Sequence, residues 1–216
     1  RDLVRSRGLG DVYKRQVQRL HQLFGNAGTR HLDLACGTGP HVRHFLDAGF
    51  QSGGLDINQP MLDKAAIRCP EAHFAVQDMC AFHLDEPVDL ITCFLYSLHY
   101  SATVERLAAC IARVHGALRP GGLFCFNTVD RTRIDNRLFA AHTVDVDEGR
   151  FTFSSGWHYS GAGERQSLRL RIEKTAGDET LIWNDEHPMV AVSFAELEAL
   201  LQPHFELHVL AHDYPV

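Results

Sequence analysis

From residue 17 onward, short apolar runs alternate with stretches of helical spacing, and that alternation predicts a parallel sheet flanked by helices. Residues 30–36, 53–57, 73–77, 88–95 and 122–129 read as the strands. The later runs are apolar on both faces, as strands covered by helices on each side require. Between them Val42, Phe45 and Leu46 make one helical stripe, and Val104, Leu107, Ala108, Ile111, Val114 and Leu118 make a longer one at i, i+3, i+4 spacing. Ser101 is placed to cap the longer helix, and Arg119-Pro120-Gly121-Gly122 to end it, because proline cannot continue a helix and glycine tolerates a left-handed turn.

After Val129 the period changes from helical to alternating. Residues 150–159, 165–175 and 180–192 alternate polar and apolar positions, with Gly161-Ala162-Gly163 and Ala176-Gly177-Asp178 as turns. This predicts an antiparallel meander, 150–192, inserted after the fifth strand. Helical spacing returns over 194–201 behind Ser193 as cap, and 205–210 reads as a last strand. No repeat, low-complexity tract or flexible linker separates these parts, so 17–216 is expected to be one domain.

Composition narrows the classes. A chain of 216 residues fits one hydrophobic core. With 45% hydrophobic and 22% charged residues it has a globular composition, and its longest apolar run, near residues 90–98, is too short to span a bilayer. A net charge of −6, with Lys and Arg scattered, offers no footprint for a phosphate backbone, so neither nucleic acid nor membrane is expected as partner. The six cysteines contain no C-x-x-C pair and several lie in apolar runs, which reads as a reducing cytoplasm. Fourteen histidines raise the question of metal. His41 and His44 share a helix face, and His204, His208 and His212 would share a strand face, but no spacing matches a zinc ligand pattern and no metal is expected.

Residues 6–16, Ser-Arg-Gly-Leu-Gly-Asp-Val-Tyr-Lys-Arg-Gln, resemble a sequencing-library adaptor read in frame. Residues 1–16 are therefore set aside as a non-native segment, and no leader peptide is read from them.

The stretch that carries chemistry is His31-Leu32-Asp33-Leu34-Ala35-Cys36-Gly37-Thr38-Gly39-Pro40-His41, an apolar strand ending in a glycine turn that opens a helix. Open α/β sheets bind ligands at such strand ends, where small residues let the backbone approach. The stretch resembles motif I of the class I S-adenosylmethionine-dependent methyltransferases, D-x-A-x-G-x-G, with Asp33, Ala35, Gly37 and Gly39 on the matching positions. Further landmarks follow in the family's order. Asp56 and Ile57 end the second strand, where the family's acid accepts both ribose hydroxyls; helix capping is the alternative role for Asp56. Asp78 and Met79 end the third strand, where the family places an acid near the adenine amino group and packs the next residue on the ring. Leu118-Arg119-Pro120-Gly121-Gly122 resembles the family's L-x-P-G-G turn.

The resemblance implies a Rossmann-like, doubly wound α/β sheet and an adenosylmethionine cofactor, with Phe94 also on the cofactor side. It further implies a seventh strand paired beside the sixth, for which no sequence remains after Val216. A dinucleotide reading competes, since an acid about twenty positions after a glycine turn is also its mark. It would need glycine at position 42, where Val42 stands.

Methyl transfer from a sulfonium is an in-line displacement dominated by positioning, with a base where the acceptor sheds a proton. Phe94-Leu95-Tyr96-Ser97-Leu98-His99-Tyr100 resembles the corresponding segment of glycine and amino-sugar N-methyltransferases, and it lacks the N-P-P-[YFW] motif of nucleic-acid amino methylases. His99 is the candidate base, since imidazole titrates near neutrality, and Tyr96 the second catalytic candidate. Tyr100, Asn127, Arg131, Trp157, Tyr159 and His187 are the acceptor-side candidates, with the meander as a cover over a small molecule. The expected function is methyl transfer to a small-molecule N or O acceptor. A catalytically silent cofactor-binding subunit and a nicotinamide-dependent oxidoreductase are the alternatives.

Overall fold

The computed structural model describes residues 6–137 and 140–210. Two compact units emerge, one taking the chain up to Leu98, Ala108–Asn127 and the stretch from Leu200, the other His99–Leu107 and Thr128–Ala199.

The first unit holds helix α1 (Ser6–Phe24) and then the alternation read from sequence: β1 (Arg30–Leu34), α2 (Pro40–Asp47), β2 (Gln51–Asp56), α3 (Gln59–Arg68), β3 (Phe74–Val76) and β4 (Val88–Cys93). Helix α4 (Val104–Ala117) leads into β5 (Leu118–Phe126). All four pairings are parallel, in the order β3-β2-β1-β4-β5. The chain runs outward from β1 to β3 and returns to lay β4 on the other side of β1. The switch point, where such sheets open a crevice at their carboxyl ends, therefore falls between β1 and β4.

The core explains why these segments fold so. Val42 and Phe45 on α2 are fully buried, as are Leu107, Cys110, Ile111 and Val114 on α4, and β4 is buried at every position. Each such Leu, Ile, Val or Phe contributes about 1.5–3 kcal/mol by leaving water. Val17, Phe45, Leu90 and Phe94 form one cluster, and Cys36, Val42, Leu62 and Cys69 another. Val42 has room because its neighbour on β2 is glycine: a Cβ on Gly54 would come within 3.2 Å of Val42 Cγ2 and 2.6 Å of Cys36 Sγ. The close approach that a dinucleotide site obtains from a third loop glycine is supplied here from the adjacent strand.

Several boundaries move, each for a backbone reason. β1 and β4 end sooner than expected because Ala35, Leu95 and Tyr96 turn left-handed, with φ of 51°, 56° and 61°. β5 starts earlier, at Leu118, and absorbs Arg119-Pro120-Gly121-Gly122 as an irregularity. Its register on β4 jumps between Val88↔Leu118 and Leu90↔Leu123, with Gly121 at φ 73°. Proline is tolerated there because β5 is an edge strand. Ser101 does not cap α4. Thr103 does, its Oγ1 accepting from Arg106 N–H at 3.2 Å.

The second unit is an antiparallel sheet of four strands in chain order: β6 (Ala140–Val146), β7 (Gly149–Tyr159), β8 (Arg165–Ala176) and β9 (Glu179–Val190). The expected meander is present, but the sheet begins one strand earlier. β6 is not evident in the sequence because its residues alternate weakly; the pairing Val146↔Gly149 around a tight turn, with Gly149 at φ 126°, secures it. Cross-strand partners share a face, so Trp157, Leu168 and His187 lie together on one side and His158, Ser167 and Pro188 on the other. α5 (Phe194–Leu201) is capped as expected: Ser193 Oγ accepts from Glu196 N–H, and Glu196 Oε2 accepts from Ser193 N–H at 2.8 Å.

Residues 205–210, expected as a strand, form no ladder. Phe205 packs its ring against Phe124 and His115, while Val209 and Leu210 are exposed. Apolar alternation alone does not make a strand when no neighbour supplies hydrogen bonds. His204 and His208 therefore do not share a strand face, and His212 lies outside the described residues.

Candidate functional site

The turn after β1 sits at the switch point, and its two glycines serve different ends. Gly37 has φ 54°, and a Cβ there would meet only Met61 Sδ at 3.7 Å, so this face of the loop is open. Gly39 has φ 74°, and its Cβ would press to 3.1 Å on Ala65 Cβ, so that glycine lets the turn pack on α3. The thiols of Cys36 and Cys69 donate to the carbonyls of Gly37 and Gly39 at 3.9 and 3.7 Å. Asp56, at the end of β2, accepts from Gly37 N–H through Oδ2 and from Asn58 N–H through Oδ1, both at 2.9 Å. The carboxylate and the open glycine thus share one place. The cap of α3 is Asn58, whose Oδ1 accepts from Met61 N–H at 3.2 Å, which removes the capping role from Asp56. Next to it Ile57 is 74% exposed, an apolar side chain left uncovered beside a polar cradle.

At the end of β3, Asp78 folds back to accept from Cys80 N–H at 2.8 Å and Met79 turns inward. Phe94 lies in the core cluster with Val17, Phe45 and Leu90, edge-on to His41 at 5.3 Å, rather than on an open face. At the end of β4 the consecutive left-handed residues Leu95 and Tyr96 are held by Asn127, whose Oδ1 accepts from Tyr96 N–H at 2.9 Å. Each non-glycine residue in that region costs on the order of 1 kcal/mol, and such outliers gather where a site dictates the backbone. Burial raises the Tyr96 phenol above its ordinary range, so it stays protonated near neutrality.

In the second unit the structure separates the candidates. His99 is 2% exposed, with Nδ1–H donating to Val190 O at 2.8 Å and Nε2 accepting from Val129 N–H at 3.2 Å and lying 2.9 Å from Thr128 Oγ1. Burial lowers its pKa, so it is a neutral, fully engaged ring with no lone pair open to an acceptor. Tyr100 and His187 meet: the Tyr100 hydroxyl lies 2.5 Å from His187 Nδ1, and His187 Nε2 lies 3.0 Å from Asp185 Oδ2. Burial, followed by the Asp185 charge, raises the Tyr100 pKa. Arg131 is tied to Glu196 at 2.6 Å and to Ala191 O at 3.2 Å, and its guanidinium stands 5.9 Å from the Tyr159 ring centroid. With Thr132, Ile134 and Gly161 these two line a hollow of about 460 Å³. The Trp157 ring lies 6.0 Å from His99. Asn127 belongs to the first unit and the other acceptor-side candidates to the second.

The methyltransferase-domain family matches residues 32–122, the stretch from β1 to β5 that builds this crevice. Over this stretch the chain is similar to class I methyltransferases. It is 31% identical over 134 residues to a dTDP-3-amino-3,4,6-trideoxy-glucopyranose N,N-dimethyltransferase of Streptomyces venezuelae, covering 56% of each chain. It is 36% identical over 92 residues to a dTDP-4-amino-2,3,4,6-tetradeoxy-glucose N,N-dimethyltransferase of Saccharopolyspora spinosa, over 43% of this chain and 37% of that one. The matched stretches span about half or less of those relatives' length. In fold it is similar to the amino pentose methyltransferase CalS10 of Micromonospora echinaspora, with a TM-score of 0.82 and 22% identity over 93% of this chain and 85% of the other.

The residues of this crevice fit an adenosylmethionine. Gly37 leaves an open backbone face, Asp56 keeps lone pairs for ribose hydroxyls, and Ile57 offers apolar surface. One buried carboxylate oxygen, Asp33 Oδ2, has no hydrogen-bond partner and stands 3.4 Å from His41 Nδ1. Sequence reasoning misses what surrounds that carboxylate: Ser52, His31 and Thr92, buried on β2, β1 and β4. Their signal is polarity inside runs that otherwise read as buried parallel strands. Among the described residues no group of three or more His, Cys, Asp or Glu could hold a metal ion, and no helix is long and apolar enough to cross a membrane.

Proposed function

We propose that this domain transfers a methyl group from S-adenosylmethionine to an amine on a small molecule, with an amino sugar as the acceptor class. The observation that carries the reading is the meeting of Asp56 with Gly37 N–H at the carboxyl ends of β2 and β1, beside an open loop face. The amino-sugar dimethyltransferases among its relatives support the acceptor class. The bound cofactor supplies a sulfonium-activated methyl, so the protein's task is orientation and removal of one proton.

Asp56 binds the ribose hydroxyls, and Ile57 and Met79 border the adenine with Asp78. Within the first unit Tyr96 and Asn127, and within the second Arg131, Trp157 and Tyr159, are each proposed as acceptor-binding residues. Tyr100 and His187, whose ring joins the Tyr100 hydroxyl at Nδ1 and Asp185 at Nε2, are proposed as residues that bind the acceptor. His99 acts by holding Val129 and Val190 together.

Calorimetry with adenosylhomocysteine and NAD, together with labelled-methyl transfer across amino sugars, hydroxy compounds and thiols, tests the reading. Adenosylhomocysteine binds and NAD does not, and Asp56→Ala weakens the former about 10-fold or more by removing charge-assisted bonds. His187→Gln raises KM for the acceptor about 10-fold with cofactor affinity unchanged. Binding without turnover on any acceptor class would instead favour a silent subunit, and hydride transfer to NAD an oxidoreductase.

A further inference from the structure

A leucine in a left-handed turn with its side chain in water is unfavourable on two counts: a bulky residue is strained at positive φ, and exposed apolar surface gains nothing from burial. Leu95 is such a residue, with φ 56° and a side chain 64% exposed. Glycine or asparagine would hold the same bend with less strain. The other non-glycine residues at positive φ among the described residues are the small Ala35 and Ala102 and the half-buried Tyr96.

The fold holds the bend without using the Leu95 side chain. Ser97 N–H donates to Phe94 O at 3.1 Å, closing a β-turn whose two central residues, Leu95 and Tyr96, are both left-handed. Turns of that kind favour Asn and Gly at those positions. Asn127, just after β5, secures the turn from outside, its Oδ1 accepting from Tyr96 N–H at 2.9 Å. Stability alone therefore gives no reason for leucine at this place.

The sheet supplies one. β1 pairs with β4 in the register Asp33↔Thr92 and with β2 in the register Leu34↔Leu55. Continued past the strand ends, these registers set Leu95 and Ile57 on either side of Cys36, at the root of the glycine turn. On the β2 side, Asp56 and the 74% exposed Ile57 are assigned above to the adenosine. The β4 side, across the switch point, is left to the methyl group and the acceptor. An apolar side chain kept in water there finds its contact when the acceptor arrives.

We propose that Leu95 determines acceptor specificity, its side chain packing on the carbon next to the reacting amine and so selecting amino sugars that carry hydrogen rather than hydroxyl at that carbon. This inference rests on the amino-sugar reading above and adds to it the oxygenation of the ring beside the amine. Desolvation is the physical basis: a hydroxyl pressed on leucine loses its water and gains no hydrogen bond, whereas a methylene gains apolar contact.

The experiment measures labelled-methyl transfer by the full chain to two acceptors that differ in the hydroxyl next to the amine: dTDP-3-amino-3,6-dideoxyglucose, which has it, and dTDP-3-amino-3,4,6-trideoxyglucose, which lacks it. The unaltered protein is expected to favour the trideoxy sugar in kcat/KM by about 10-fold or more. Leu95→Asn keeps the size of the side chain, suits the left-handed backbone and offers the hydroxyl a hydrogen bond, so the preference falls about 10-fold with adenosylhomocysteine affinity unchanged. Leu95→Ala lowers the preference by a smaller factor, and it serves if Leu95→Asn does not fold. A preference that neither variant alters, or an unaltered protein that favours the hydroxylated sugar, overturns the specificity role. Turnover of neither sugar by unaltered protein that binds adenosylhomocysteine overturns the amino-sugar reading itself, a result no change at Leu95 can produce.

Discussion

The two sheets of this chain handle polar residues in opposite ways. In the parallel sheet β4 is buried along its whole length, and its polar members are each met by another group: Thr92 by His31 and Asp33, and Asp89 by Arg30 N–H at 2.9 Å. In the antiparallel sheet β9 is exposed from Glu179 through Glu186, and Leu181, Ile182 and Trp183 share that exposure with their polar neighbours. A polar residue in the first sheet is thus expensive and carries information about partners or ligands, whereas in the second it is cheap because water satisfies it. The same holds in reverse for apolar side chains, whose removal costs much in the first sheet and little in the second.

The sharpest way to break this contrast is truncation of one aromatic residue from each region. Phe45→Ala is expected to cost about 3–5 kcal/mol in urea unfolding, while Trp183→Ala costs less than about 1 kcal/mol. A large loss at Trp183 would mean that β9 is covered in solution and that the comparison is mistaken.

Acidification comes next. His31 and His99 are neutral in the fold, their pKa values lowered chiefly by burial, that of His31 to about 3. Below the unfolded histidine value of about 6.5 the unfolded chain takes up protons that the folded chain refuses, so stability falls. Each histidine contributes up to about 1.4 kcal/mol per pH unit, from about 6.5 down to its folded value. Above pH 7 neither contributes further. Unfolding of the wild type and of His31→Gln between pH 7 and 4.5 checks this, with the flatter slope expected in the variant. The smallest effect sharpens the contrast by its absence: Asn58→Ala and Ser193→Ala each remove a helix cap, one per unit, and each costs about 1 kcal/mol, because capping is local and indifferent to the sheet beside it.

Much of the fold and part of the site are legible in the order of residues alone. Alternation of strand and helix, the glycine turn, the acid at Asp56 and the cap at Ser193 all depend on neighbours close in the chain. Such residues constrain one another through backbone geometry and period, and those signals survive in one dimension. Asp56 is legible for that reason: its place is set by where β2 must end.

Tertiary structure decided the rest. No period shows that Leu95 and Tyr96 turn left-handed, that β6 pairs with β7, or that residues 205–210 find no ladder. His99 has the look of an available imidazole and is instead consumed by Val129 and Val190, residues 30 and 91 positions away. His31 and Thr92 resemble minor polar interruptions, yet they meet each other across 61 positions of sequence, and Thr92 meets Asp33 across 59. The sequence determined which elements form and where the glycine loop must bend. Which polar group faces which was left to packing, because a hydrogen bond between strands depends on register and on the fold's order of strands, and neither is written in any one segment.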